Sequence, residues 1–261
     1  MKRIHAFEWE DFAWFPHILR IPMTRYIVTL HGLSKTPRDL AQILDKLLQK
    51  TKYRQVYDLC SGSGGPMVAT HELLRQEYGY SDLKLTMTDL YPAGIADEIN
   101  ARKLPNLDYA TQSVDATAVD PAKQGIRTII CGFHHMRPKV AQAILKDAQD
   151  KQQPFCAYEI SDNAAPHAIA WLSFPIVFLT VFLLTPFIRP LTWQQLVFTY
   201  LIPVLPLLIA WDGTISNMRT YTENDLNNLL DPIRNDDYTW DIAKVKQAGV
   251  SKIYILGYPN S

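Results

Sequence analysis

The chain has 261 residues, with 26 Lys and Arg against 26 Asp and Glu, so its formal net charge is zero. That balance leaves no basic surplus to grip a phosphate backbone and argues against a nucleic-acid partner. Cys60, Cys131 and Cys156 form no C-x-x-C pair, so they read as reduced core thiols of a cytosol-facing domain and not as a zinc site.

Mean hydropathy is close to neutral at −0.09, yet the strongly apolar residues concentrate between Ile169 and Trp211. Residues 1–35 are aromatic and irregular in pattern: Phe7, Trp9, Phe12, Trp14 and Phe15 are interrupted by Glu8, Glu10 and Asp11. They read as an N-terminal cap on something apolar: a plain clasp, a lid or a membrane-surface anchor. Too few apolar residues follow Lys2 and Arg3 for a signal peptide. Thr36-Pro37 then starts a helix to about Lys50, with Leu40, Ile43, Leu44, Leu47 and Leu48 at helical spacing.

From residue 55 the elements alternate. Strands are predicted at 55–60, 83–89, 108–114, 126–132 and 154–160, and helices at 66–78, 93–102 and 138–150. Such alternation implies a parallel sheet with helices on both faces. The first strand runs into Gln55-Val-Tyr-Asp-Leu-Cys-Ser-Gly-Ser-Gly-Gly-Pro66, where Gly62, Gly64 and Gly65 make a tight turn and Pro66 opens a helix. Strand, glycine turn and helix start together make a cradle in which backbone can approach a cofactor. Asp89 ends the second strand, placed to meet the ribose hydroxyls of a nucleoside held by that turn. Asp115-Ala116 ends the third.

The order Asp58-x-Cys60-x-Gly62-x-Gly64, then Asp89, then Asp115-Ala116 resembles the class I S-adenosylmethionine (SAM)-dependent methyltransferases. The resemblance covers about 55–160 well and the C-terminal strands fairly well; it does not cover 1–35 or 165–220. It implies a three-layer Rossmann-like α/β fold with SAM as cofactor. Asp58, Cys60, Gly62 and Gly64 would then hold the methionine end, Asp89 with Leu90 the ribose, and Asp115 with Ala116 the adenine. Cys60 departs from the family, standing where many members have a glycine.

Tyr238–Lys244 and Lys252–Gly257 are predicted as a closing antiparallel hairpin joined through Gly249. That ending differs from a nicotinamide-dependent dehydrogenase. Four segments result: a cap and helix at 1–50, a SAM-binding core at 51–165, a hydrophobic insertion at 166–212 and the C-terminal completion at 213–261. The insertion has two uncharged arms, Ile169–Ile188 and Leu196–Trp211, separated by a turn carrying Arg189. As helices they would measure ~30 Å and ~24 Å, against a bilayer core of ~30 Å. Strands of one sheet flank the insertion, so its ends return to one side of any membrane. A hairpin that crosses twice or dips in is expected, kinked by Pro175, Pro186, Pro203 and Pro206. A buried cap is the other possibility.

Candidate chemistry sits at the carboxyl ends of the strands. His134 or His135, in Gly132-Phe-His-His-Met136, is placed to act as a base, or simply to wall the pocket. Glu159, Arg219 and Tyr221 are candidates for substrate contact, with structural hydrogen bonds or ion pairs as the alternative. No metal triad is apparent. The expected function is methyl transfer to a lipophilic or membrane-associated small molecule by a membrane-associated enzyme whose catalytic domain faces the cytoplasm. A non-catalytic SAM-binding membrane adaptor and a nicotinamide-dependent oxidoreductase are the alternatives.

Overall fold

The computed structural model describes residues 3–92, 94–247 and 250–260, arranged as two compact units. The described residues of one lie within 35–162 and 223–260, those of the other within 3–34 and 163–222.

The first unit is built on a seven-stranded sheet in the order β3-β2-β1-β4-β5-β7-β6. Its strands are β1 Gln55–Asp58, β2 Lys84–Met87, β3 Leu107–Tyr109, β4 Ile126–Ile130, β5 Phe155–Glu159, β6 Tyr238–Gln247 and β7 Val250–Pro259. The first five run parallel; β7 is antiparallel to both β5 and β6. This is the strand order of the Rossmann-like methyltransferase fold, closing hairpin included. Every residue of β5 is buried. Successive side chains of a strand point to opposite faces, so both faces of the sheet are covered. Cys156 and Tyr158 join the core that contains Leu40, Leu44 and Leu47 of helix α2, Thr36–Thr51.

Chain order reverses direction between β1 and β4, and in open α/β sheets such a switch point, at the carboxyl ends of the strands, is where ligands bind. Helix α3, Met67–Gln76, follows β1, with Pro66 at its N-cap. Helices α4, Ile95–Ala101, and α5, Pro138–Asp150, link later strands. On β4 the buried Arg127 meets Asp147 of α5 at 2.7 Å, which lets a charged residue sit in a central strand.

β3 is shorter than expected. After Tyr109 the chain turns away, and Val114 donates its N–H to the carbonyl of Asp89 at 2.9 Å, so the loop hugs the end of β2 instead of extending the sheet. The hairpin strands are longer than expected, at ten residues each. The expected turn at Gly249 lies outside the described residues.

The second unit is helical. Helix α1 spans His17–Leu33, where the sequence pattern pointed to irregular structure. Pro22 inside it and apolar residues all round hid the helical period. Then come α6 His167–Ala170, α7 Ser173–Leu184, α8 Trp193–Leu196 and α9 Val204–Arg219. Of the four prolines expected to kink the two arms, Pro186 and Pro203 stand at breaks, and Pro175 and Pro206 lie inside α7 and α9. The first arm splits into α6, α7 and a 3-10 turn at Thr185–Phe187 containing Pro186. The second bends by 86° between Trp193–Leu201 and Val204–Arg219, at Ile202-Pro203. Among the described residues, no single helix is long and apolar enough to cross a membrane. Phe15, Met23, Tyr26, Val181, Ile188, Leu205 and Ile209 form this unit's core. The aromatic N-terminal residues join it: Asp212 of α9 accepts the backbone N–H of Trp9 at 2.8 Å.

The closing hairpin supplies a stability test. Gly257 of β7 faces Trp240 of β6 in register. A Cβ on Gly257 would lie 2.4 Å from the Trp240 ring. Gly257→Ala should therefore cost ~1–3 kcal/mol by overpacking, read as a lowered urea midpoint; an unchanged midpoint would show that the ring moves freely.

Candidate functional site

The site grows from the end of β1. Asp58 is 2% exposed, yet its carboxylate is fully used. Oδ1 accepts the Thr128 hydroxyl at 2.5 Å and Oδ2 accepts the Ser61 hydroxyl at 2.6 Å. The N–H of Thr88 donates to the Asp58 carbonyl at 2.8 Å, and the N–H of Ser61 donates to the Thr88 carbonyl at 2.9 Å. The ends of β1, β2 and β4 are thereby knitted around one buried carboxylate. Burial pushes the Asp58 carboxyl up to about 7, against the two hydroxyl donors that pull it down. Asp58 thus holds the turn that was expected to hold the cofactor.

Beyond Asp58 the backbone goes left-handed at Cys60, Gly62, Gly64 and Gly65. At Gly64, with φ +93°, a Cβ would also meet Met87 Cε at 2.8 Å. Cys60 has φ 56°, a region in which a non-glycine residue bears ~1–2 kcal/mol. Its thiol is pushed up to about 12 by burial and then by Asp89, Asp58 and Asp115, so it stays protonated and is no nucleophile.

Asp89 is brought directly to the turn. Its Oδ2 accepts the Gly62 N–H at 3.1 Å and its Oδ1 the Tyr91 N–H at 2.9 Å. Tyr109, from β3, donates its hydroxyl to the Gly62 carbonyl at 2.9 Å. Leu90 is exposed next to Asp89. Asp115 is exposed, and hydrogen bonds from the Thr117 hydroxyl and N–H hold its carboxyl below the usual range. Ala116 beside it is buried. The hydroxyls of Ser61, Thr88, Tyr109 and Thr128 escaped the sequence reading. Their only signal was polar residues within or just after otherwise apolar strands.

The loop after β4 forms a 3-10 turn at Phe133–His135. Phe133 anchors it, packed edge-on against Phe155 with centroids 6.4 Å apart. His134 is buried, and its backbone N–H donates to Glu159 Oε1 at 2.9 Å. Its Nδ1 lies 2.8 Å from Glu159 Oε2. The His135 ring lies 4.2 Å from that of His134. Glu159 therefore positions His134, where substrate contact had been one expectation. A carboxylate on Nδ1 selects the tautomer with the proton there, which makes Nε2 the basic nitrogen, and it stabilises the ring once protonated.

Arg219 and Tyr221, expected near a substrate head group, are placed in the helical unit as anchors. Arg219 is 2% exposed and paired with Glu8 at 3.0 Å and Asp11 at 2.6 Å. Arg3 lies 4.1 Å over the Tyr221 ring. These contacts tie the N-terminal segment to α9 and the residues after it, and they neutralise the Arg219 charge.

No family model and no curated protein matches the chain. Solved structures similar to it include the methyltransferase domain of bacterial CtHen1, at 12% identity and a TM-score of 0.49, covering 86% of this chain and 98% of that one. PigF with SAH matches at 15% identity and 0.47, covering 97% and 63% respectively. Human N-acetylserotonin methyltransferase with SAM matches at 14% and 0.47, covering 94% and 56%. The chain thus spans nearly all of the first structure and little more than half of the other two. The fold assignment rests on the strand order itself.

Asp58 gives the site a pH signature. Folded, it keeps its proton up to about pH 7; unfolded, it releases it near ~3.9. Between those values the folded state binds more protons, so this group's contribution to stability falls as pH rises through the window. Asp58→Asn should make the stability–pH slope between ~4 and 7 shallower than in the parent, measured by urea unfolding across that range. Identical slopes would mean that Asp58 does not titrate there.

Proposed function

We propose that this chain transfers a methyl group from SAM to a lipophilic small-molecule acceptor. We further propose that it does so at a membrane, with the sheet unit on the cytoplasmic side, where the free thiols of Cys60, Cys131 and Cys156 would stay reduced. One observation carries the chemistry. At the switch point of the sheet, the glycine turn bonded to Asp89 follows β1, and the buried His134–Glu159 pair follows β4.

The turn suits the cofactor because at Gly62 and Gly65, both at positive φ, the space a Cβ would take is open. Asp89 stands ready for the ribose hydroxyls with Leu90 beside it, Ala116 offers apolar contact to the adenine, and Asp115 offers an acceptor to its amino group. When bound, SAM supplies an activated methyl on a sulfonium. The chain supplies alignment and exclusion of water. As the acceptor's O–H or N–H loses its proton, His134 Nε2 takes it, and the Glu159 carboxylate offsets the charge that forms on the ring.

Two substitutions test this. Asp89→Ala should weaken SAM binding by ~1–3 kcal/mol, measured by titration calorimetry on variant protein shown to be folded. Unchanged affinity would remove Asp89 from the ribose role. His134→Ala should leave SAM bound and lower kcat by ~10²–10⁴, followed as label transferred from SAM into a lipid extract. Undiminished turnover would leave His134 as a wall of the pocket.

A further inference from the structure

Taking the membrane-associated half of that function further, we propose that the helical unit lies in the plane of an anionic membrane surface. It inserts through one side of α7 and the bend before α9, and it does not span.

The exposed side of α7 carries the first argument. Leu172, Ile176, Leu179, Leu183 and Phe187 are all exposed, Leu183 at 69%. They recur every three or four residues, which places them on one side of a helix. The other side, with Val177, Val181 and Leu184, packs into the unit's own core. A helix apolar all round belongs where apolar matter surrounds it, and α7 meets protein on one side only. The stripe continues past the helix. The Tyr200 hydroxyl donates to the Phe182 carbonyl at 2.7 Å, and the two rings lie 5.9 Å apart. That contact sets the exposed residues Tyr200, Leu201 and Ile202 alongside the C-terminal half of α7.

Length excludes a crossing by α7. Its 12 residues reach ~18 Å, against ~30 Å of hydrocarbon. The second arm turns by 86° at its break. An element of that length is suited to lie along the interface.

Charge selects the occupant. Arg189 is exposed just beyond the stripe, between Phe187 and Trp193. Arg25 is partly exposed. Among the acids of the unit, Glu8 and Asp212 are buried, burial raises the Glu10 carboxyl, and Asp11, though exposed, is paired with Arg219. The charge left facing outward is cationic, which suits anionic headgroups. Trp171 and Trp193, both exposed, flank the stripe at its two ends, and tryptophan favours the headgroup level. A second copy docking through the same stripe would bury Arg189 against residues 169–211, which contain no carboxylate to meet it.

The test uses the full chain with vesicles of phosphatidylcholine alone or mixed with phosphatidylserine. The parent should co-sediment with the mixed vesicles more strongly than with the neutral ones, and salt should weaken the difference. Leu179→Glu combined with Leu183→Glu should lower binding to both by at least about tenfold. Arg189→Glu should weaken binding to the mixed vesicles by about fivefold or more and leave the neutral ones little changed. Brominated lipids should quench Trp171 and Trp193 best when the bromine is near the headgroup. A parent that ignores vesicles, or that buries this face in a solution dimer, overturns the proposal; so does quenching strongest at the bilayer centre, or a double variant that binds like the parent. SAM affinity measured on the same samples separates the two readings, since vesicle binding without SAM binding would sink the methyltransferase assignment and leave this one standing.

Discussion

Asp58 is the constraint on which the nucleotide half of the molecule depends. One carboxylate, out of contact with water, accepts from Thr128 on β4 and from Ser61 in the glycine turn. Burying so polar a group is expensive, and the two hydroxyls offset that cost only while β1, β4 and the turn hold their mutual positions. The same atoms that satisfy Asp58 thereby fix the path of Ser61, and with it the left-handed run through Gly64. Asp89 and Tyr109 then pin Gly62 from either side, through its N–H and its carbonyl. Backbone groups of Ser61 and Gly62 are thus bonded to residues at the ends of β2 and β3, and preorganised donors and acceptors need no reordering when a ligand arrives.

The second buried polar pair works differently. Glu159 meets both the backbone N–H and the ring of His134, so a single carboxylate fixes the turn and the side chain it presents. Phe133 holds the same turn from the apolar side. Packing and charge thus converge on one imidazole, while His135 next to it stacks on its neighbour. The helical unit applies the same economy to its acids: Glu8, Asp11 and Asp212 are used to clasp the aromatic N-terminal segment, through Arg219 and through backbone N–H groups.

Local pattern was enough to read the parallel sheet, because buried strands and amphipathic helices alternate along the chain. It determined the closing hairpin and the glycine turn for the same local reason: Gly62 and Gly64 occupy backbone angles that other residues avoid. It also marked the residues that bear chemistry, Asp89 and His134 among them, by their place just after strands. Tertiary structure alone decided what each does. Glu159 and His134 are 25 residues apart, and their pairing needs β4 beside β5 in register. Arg219 meets Asp11 across 208 residues, so no local pattern announces that its charge is already neutralised. The apolar stretch shows the limit most plainly. Hydropathy counts residues without regard to direction, so it revealed how much apolar surface exists; only the break at Ile202-Pro203 and the packing of one side of α7 decided which part of it faces out.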